Sequence, residues 1–203
     1  MRIIAGIKRG MKLLPPKGTN TRPITDRVKE SLFSVLYKYD LIPDGTVADV
    51  FCGTGSLGLE ALSRGASHVT FVDKDPSATA ILEQNIEKAR FVAQSKVIRA
   101  NAFKVGAPLD ITSGLYDLVF VDPPYVLSAD TSPSSPLAGM LNLICSQTTA
   151  GAVVVVRTAE YTTLLDCYGP LHVIDRRTWG AMSVTLLSKD TRKEPDDQPQ
   201  AGD

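Results

Sequence analysis

Asp49-Val50-Phe51-Cys52-Gly53-Thr54-Gly55-Ser56-Leu57-Gly58 is the stretch from which the rest of the chain can be read. It follows a β-branched, apolar run over residues 46–51 and opens a helical pattern over residues 56–64, which Gly65 stops. A buried strand, a glycine turn and a helix make the opening of a βαβ unit. Outward from it the pattern repeats. Strands are expected at residues 69–72, 95–99, 116–121 and 152–157, and helices at residues 76–90 and 137–146. Pro76 sits in the first turn of its helix, where its missing N–H costs nothing. Strands alternating with helices predict an α/β fold with a doubly wound, mostly parallel sheet. Residues 171–177 and 182–187 alternate in polarity around Trp179-Gly180, so an antiparallel hairpin is expected to close a sheet of seven strands.

Upstream, Ile3-Ile4-Ala5 and Lys12-Leu13-Leu14 flank a segment of glycine and lysine, the pattern of a short β-hairpin. Pro15-Pro16 breaks it and begins a polar loop to Pro23. From Thr25 or Asp26, a capping residue, Val28, Leu32, Val35, Leu36 and Tyr39 recur at helical spacing until Pro43-Asp44-Gly45. Residues 190–203 are polar, contain Pro195 and Pro199, and read as a flexible tail. Three parts are therefore expected: a basic extension (1–40), a catalytic domain (41–189) and the tail.

The composition bounds the function. With 203 residues, 43% hydrophobic and 22% charged, the chain is one globular domain with a small appendage. Its 15 Gly and 13 Pro show no period, which excludes a collagen-like repeat. No stretch approaches the roughly 18 unbroken apolar residues of a membrane span, and Arg2 comes too early for a secretion signal. Cys52, Cys145 and Cys167 are scattered without a CxxC pair, so no disulfide framework and no metal site are expected, and a reducing cytoplasm is the expected compartment. The net charge is zero but uneven: residues 1–40 hold nine Lys/Arg against three acids, a balance of +6, and the remainder holds 13 against 19, a balance of −6. A basic arm on a near-neutral body suits a polyanion partner, although a solvated surface explains charge alone.

Gly53, Gly55 and Gly58 fit GxGxxG, and Asp73 ends the next strand, which taken alone is the dinucleotide fingerprint. Asp49 argues otherwise. A carboxylate four residues before Gly53 would repel a pyrophosphate, but it stabilises the sulfonium and ammonium of S-adenosylmethionine. Asp49, Phe51, Gly53, Gly55, Ser56 and Leu57 are therefore expected to line a pocket for that methyl donor, with Asp73 accepting from the ribose hydroxyls. Lys74 is expected at the edge of the adenine pocket, and Asn101-Ala102 against the adenine ring. A lone Asn after a strand is more often a turn residue.

Asp122-Pro123-Pro124-Tyr125 follows the apolar Val119-Phe120-Val121. Two prolines remove two backbone donors and fix φ twice, which presents a carboxylate, a carbonyl and a ring in a rigid array. An exocyclic amino group on a nucleobase is a poor nucleophile because its lone pair is conjugated. Acceptors on its two N–H bonds free that lone pair; Asp122 and the Pro123 carbonyl are the expected acceptors. Tyr125 is expected to stack on the base, worth about 1–3 kcal/mol. Lys8, Arg9, Lys12, Arg22, Arg27 and Lys29 are expected to neutralise phosphates. A base reaching this edge must be flipped out of its stack. These motifs leave guanine N2, adenine N6 and cytosine N4 open.

The two motifs in this order resemble the amino-methyltransferases of the Rossmann-like class I fold. Residues 2–6, Arg9-Gly10-Met11-Lys12-Leu13, residues 21–33 and Gly58-Leu59-Glu60-Ala61-Leu62-Ser63-Arg64-Gly65 look like the bacterial 16S ribosomal RNA guanine-N2 methyltransferases, the RsmD-like family. The similarity is strong over residues 1 to about 125, diffuse over residues 126–187 and absent in the tail. The resemblance implies S-adenosylmethionine as donor and a guanine amino group in 16S rRNA as acceptor. The substrate would be the small subunit or its assembly intermediate. From the chain's own composition a monomer without metal or membrane is expected. The resemblance also implies that residues 21–27 lie over the cofactor pocket beside the RNA path. The loop at residues 127–137 departs from some relatives and is expected near the substrate entrance.

Three other functions compete. A DNA or RNA adenine-N6 or cytosine-N4 methyltransferase shares the chemistry, but the chain leaves little room for a DNA target-recognition domain. An NAD(P)-dependent oxidoreductase would use the glycines, but Asp49 and the absence of a Tyr-x-x-x-Lys pair oppose it. A non-catalytic RNA-binding module would not need residues 122–125 intact. Cys52, His68, His172 and Trp179 are expected to be structural.

Overall fold

The computed structural model describes residues 1–16, 24–109 and 114–189. Arg22 and the tail at residues 190–203, both named above, lie outside the described residues.

Strands β1 (Thr46–Val50), β2 (His68–Asp73), β3 (Ser95–Arg99), β4 (Tyr116–Val121) and β5 (Thr148–Ala159) are parallel. They are joined by β6 (Cys167–Tyr168), β7 (Leu171–Trp179) and β8 (Met182–Lys189) in the order β3-β2-β1-β4-β5-β8-β7-β6. β8 runs antiparallel to β5, β7 to β8 and β6 to β7. The expected closing hairpin is thus β7–β8. Among the described residues the sheet has eight strands, not seven, because the two-residue β6 is too short to carry a hydrophobic period.

The helices are α1 (Asp26–Leu36), α2 (Ser56–Ser63), α3 (Pro76–Ala89), α4 (Ala102–Val105) and α5 (Pro136–Ser146). Thr25, Asp75, Asn101 and Ser135 each cap one by accepting a backbone N–H of its first turn. The period-2 alternation of each strand sends side chains to two layers. Val47, Phe71, Leu118, Phe120, Val153 and Val155 pack with Phe33, Leu59, Leu62 and Leu82 of α1, α2 and α3. Val50, Val119, Val121, Val154 and Val156 pack with Leu137, Leu141 and Ile144 of α5. Central strands are buried on both faces, which is why residues 152–156 read as an unbroken apolar run. No helix among the described residues is long and apolar enough to cross a membrane.

The arm is less regular than a hairpin. One antiparallel bridge, Arg2 with Lys12, and hydrogen bonds between Ile3 and both Met11 and Gly10 close it. Its turn lies against α2: Gly6 has φ +79°, and a Cβ there would come within 1.7 Å of the Ser63 carbonyl oxygen. A buried acid fixes the arm. Glu60 accepts from the Ile4 and Ala5 N–H groups at 2.7 and 3.0 Å. It pairs with Lys29 Nζ at 3.2 Å and with Arg64 Nε at 2.8 Å. Lys29 Nζ also donates to the Arg2 carbonyl and to Ser56 Oγ. The Lys29 and Glu60 side chains are 0% exposed.

Lys29 is therefore not a phosphate ligand, contrary to the expectation from sequence; its ammonium is spent inside the fold. Removing one member leaves the other charge buried and unpaired, which costs about 3–5 kcal/mol. Glu60→Gln is expected to lose that much stability in urea unfolding at neutral pH. A loss below about 1 kcal/mol, the scale of a surface pair, would contradict the buried geometry.

Candidate active site

The strand order reverses direction on either side of β1, so a crevice opens at the carboxyl ends of β1 and β4, where doubly wound sheets hold their ligands. The two sequence motifs end these neighbouring strands. Asp49 lies opposite Phe120 in the register, and the Asp122 N–H donates to the Val50 carbonyl at 3.1 Å. By alternation, Asp49, Asp122 and Arg157 project to the face covered by α1 and α2, as Val47, Phe120 and Val155 do.

The loop between β1 and α2 turns through three left-handed residues: Phe51 (φ +61°), Gly53 (φ +52°) and Gly55 (φ +83°). The glycines serve two different needs. A Cβ on Gly55 would meet Leu82 at 2.3 Å and one on Gly58 would meet Phe71 at 2.3 Å, so these two let α2 pack closely. A Cβ on Gly53 would meet nothing within 4 Å, so that side of the loop is open to a ligand. The Gly53 N–H donates to Asp73 Oδ2 at 2.9 Å, which ties the loop to the end of β2. The Asp75 N–H donates to Asp73 Oδ1 at 2.9 Å, so this carboxylate is fixed on both oxygens. Phe51 meets Phe103 edge to face at 5.2 Å between centroids. Ser56 is half-buried, Leu57 buried and Lys74 exposed.

Asp49 is 1% exposed and accepts the Gly58 N–H at 2.8 Å. Burial pushes its pKa up to about 7; the Gly58 hydrogen bond opposes this, and the negative charges of Asp122 and Asp73 add to it. Asp122 is held by Arg157, with Nε 2.5 Å from Oδ1. Burial raises the Asp122 pKa, and the Arg157 cation works against that rise. Asp49 and Asp122 at the ends of adjacent strands thus share one guanidinium, and Asp73 adds its negative charge, an environment that favours a cationic ligand and disfavours a pyrophosphate. Cys52 is buried beside them, and burial lifts its thiol well above its ordinary value, which suits packing rather than nucleophilic attack.

Asn101 serves as a turn residue here, whatever its side-chain amide does toward a ligand. Its side-chain oxygen accepts the Phe103 N–H at 3.1 Å as the cap of α4, while Ala102 behind it is buried. After Asp122, Pro123 is buried and Pro124 exposed. The Pro124 and Tyr125 carbonyls accept from Leu127 and Ser128, which winds residues 125–127 into one turn of 3₁₀ helix and leaves Tyr125 half-buried.

The basic residues do not gather in one place. Lys8 lies over the Phe91 ring at 5.8 Å, and its N–H donates to Ser63 Oγ. With Arg9 it occupies the turn at the far end of α2, about 12 Å of helix from the glycine loop. Arg9, Lys12 and Arg27 are exposed. Arg27 lines a groove of about 540 Å³ with Glu30, Ser31, Ser34 and Lys38, and Arg177 of β7 forms its other wall. Arg177 and Arg157 were not singled out in the sequence. Arg157 had a visible signal: it is the first polar residue after the apolar run, at the carboxyl end of the strand beside Asp122. Arg177 had none, because only the β5-β8-β7 pairing brings it to α1. Among the described residues no group of His, Cys, Asp or Glu is arranged to hold a metal ion.

A family model described as conserved hypothetical protein 95 matches residues 1–188. The chain belongs to this family. That agrees with the RsmD-like resemblance of its motifs and extends it through β8. YlbH of Bacillus subtilis (strain 168), provisionally named an rRNA methyltransferase, is 31% identical over 93% of this chain and 99% of its own length. Ribosomal RNA small subunit methyltransferase D of Escherichia coli (strain K12) is 38% identical over 125 residues, covering 62% of this chain and 60% of that protein. The solved structure of YhhF from Escherichia coli, provisionally named a methyltransferase, superposes with a TM-score of 0.77 at 29% identity, covering 95% of this chain and 99% of that one. The fold is the class I methyltransferase fold.

An acid buried at the cost of stability leaves a measurable trace. The unfolded Asp49 carboxyl ionises near pH 4 and the folded one at about 7. Between these values the folded state binds more protons, so the contribution of Asp49 to stability falls as pH rises. Asp49→Asn is expected to raise unfolding stability by roughly 2–4 kcal/mol at pH 8 and by little at pH 4. A gain equal at both pH values would show that ionisation is not the cause.

Proposed function

We propose that this protein transfers a methyl group from S-adenosylmethionine to the exocyclic N2 amino group of a guanine in the 16S rRNA of the small ribosomal subunit or its assembly intermediate. The observation that carries the reading is the pairing of the Asp122-Pro123-Pro124-Tyr125 turn with the acid-bearing glycine loop at one crevice. The relatives named for small-subunit rRNA methylation supply the substrate class, and the family resemblance supplies guanine N2.

The residues present suit the donor. Asp49 and Asp122, which share one guanidinium, with the negative charge of Asp73 beside them, complement a ligand with sulfonium and ammonium charges. The open side of Gly53 gives room for it, and Asp73 has lone pairs left for ribose hydroxyls. Bound there, S-adenosylmethionine supplies an electrophilic methyl carbon whose bond electrons leave with sulfur. The chain's own residues do the rest. Asp122 and the Pro123 carbonyl accept from the amino N–H groups, so the nitrogen lone pair turns from the ring toward the methyl carbon. Tyr125 holds the base plane, and the amine proton is lost after transfer. Positioning and electrostatic preorganisation are the two terms at work. Val126, 87% exposed, and Tyr161, 80% exposed, follow β4 and β5 and offer apolar surface to nucleotides flanking the flipped guanine. Arg27, Lys38 and Arg177 serve the phosphate backbone along their groove.

Incubation with labelled donor, small subunits, naked rRNA and DNA, followed by nucleoside analysis, tests the assignment. N2-methylguanosine in 16S rRNA is expected; N6-methyladenine or N4-methylcytosine would replace this reading with its alternative. Asp122→Asn, which keeps shape but loses the charge, is expected to lower kcat by roughly 100-fold or more while S-adenosylhomocysteine still binds.

Each phosphate contact contributes about 0.7–0.9 to the slope of log affinity against log salt. Replacing Arg27, Lys38 and Arg177 together by Gln should therefore flatten that slope for rRNA by about 2–3. An unchanged slope would remove the groove from the RNA path.

A further inference from the structure

Arg157 does not belong to either motif, and its surroundings are unusual for a structural arginine. It stands at the carboxyl end of β5, directly after the buried Val153-Val154-Val155-Val156, and opposite Val184 of β8. Its side chain is 14% exposed and that of Asp122 is 19% exposed. Nε donates to Asp122 Oδ1, yet Nη1 is buried without a hydrogen-bond partner among the described residues. A structural arginine in a core is retained by satisfying its donors; leaving one unmet is a cost. Here the bond that is made goes to the one acid that ends β4.

Resting on the methyl-transfer reading above, we infer that Arg157 is a positioning residue for the reaction: by clamping Asp122 Oδ1 it fixes the rotation of the carboxylate and leaves Oδ2 to accept the substrate amino N–H. The carboxylate stands after a strand and before two prolines, so its backbone is rigid and only its side-chain torsions need fixing. An acceptor misplaced by an ångström forfeits much of its effect on a transition state. The clamp also decides charge. Asp49 on β1 lies near Asp122 and shares its negative field with Asp73 on β2; Arg157 on β5 is the cation that opposes burial of the Asp122 charge. A protonated Asp122 would offer a donor where an acceptor is needed.

The test compares the full-length protein with Arg157→Gln and Arg157→Lys in steady-state methylation of small-subunit rRNA across pH, alongside melting temperature and S-adenosylhomocysteine binding. Arg157→Gln is expected to melt below the parent, since it leaves the Asp122 charge without its cation, but to bind the nucleoside product like the parent, to lose roughly 100-fold in kcat with little change in KM for RNA, and to show the acid limb of kcat moved to higher pH, since Asp122 without its cation protonates more readily. Arg157→Lys keeps the cation but not the Nε geometry; its acid limb should stay in place while kcat falls less. If Arg157→Gln does not fold, Arg157→Lys decides alone, and parental kcat in it overturns the clamp. Parental kcat in Arg157→Gln, or a loss of kcat with the acid limb unmoved, overturns it too. A wild-type protein that methylates no guanine would instead count against the methyl-transfer reading on which the clamp rests.

Discussion

A carboxylate with no exposure must be matched by donors or it destabilises the fold, and Glu60 is matched from three directions. Two N–H groups come from the arm, one ammonium from α1 and one guanidinium from Arg64, which caps the C-terminus of its own helix α2. Arg64 in turn lies over the Phe33 ring at 4.6 Å, and Phe33 packs against Phe120 two residues before Asp122. The arm, α1 and the helix after the glycine loop are therefore one unit. The segment that reads in sequence as a basic extension is anchored in the layer that backs the site. Lys29 reaches Ser56, the first residue of α2, so the loop and the arm meet through a single side chain.

The site itself follows the opposite logic. Asp49, Asp73 and Asp122 are gathered at one edge, where burial makes the charges of Asp49 and Asp122 costly. Stability is given up there and recovered in the two apolar layers, where β1, β4 and β5 are buried on both faces. Such a division is expected where a rigid scaffold carries a preorganised site. The parallel strands make it possible: each of β1 to β5 delivers its last residue to the same edge, and the reversal at β1 opens space between two of them.

Much of this was legible without coordinates. The glycine loop, the alternation of elements and the Asp-Pro-Pro-Tyr turn are local features, written in consecutive residues, and each occurs where it was expected. Lys29 shows the limit. In sequence it is one more lysine of a basic arm at the exposed-looking start of a helix; only packing against α2 puts Glu60 beneath it. Lys8 and Arg9 belong to the same run of charge but sit at the other end of α2, because the arm runs along the helix and not across its mouth. Asn101 is a local case: its place after β3 suits a cap, and its oxygen accepts from Phe103.

What the chain's order of residues determined by itself was the fold class and the two turns that follow β1 and β4, because period, glycine and proline act over a few neighbouring residues. What only the tertiary structure decided were the pairings between distant segments: Glu60 with Lys29, Asp122 with Arg157, and Arg177 across a groove from Arg27. Those partners are 31, 35 and 150 residues apart in sequence. No local pattern encodes them. They are set by which strands the sheet places side by side and by the need of each buried charge to find an opposite one.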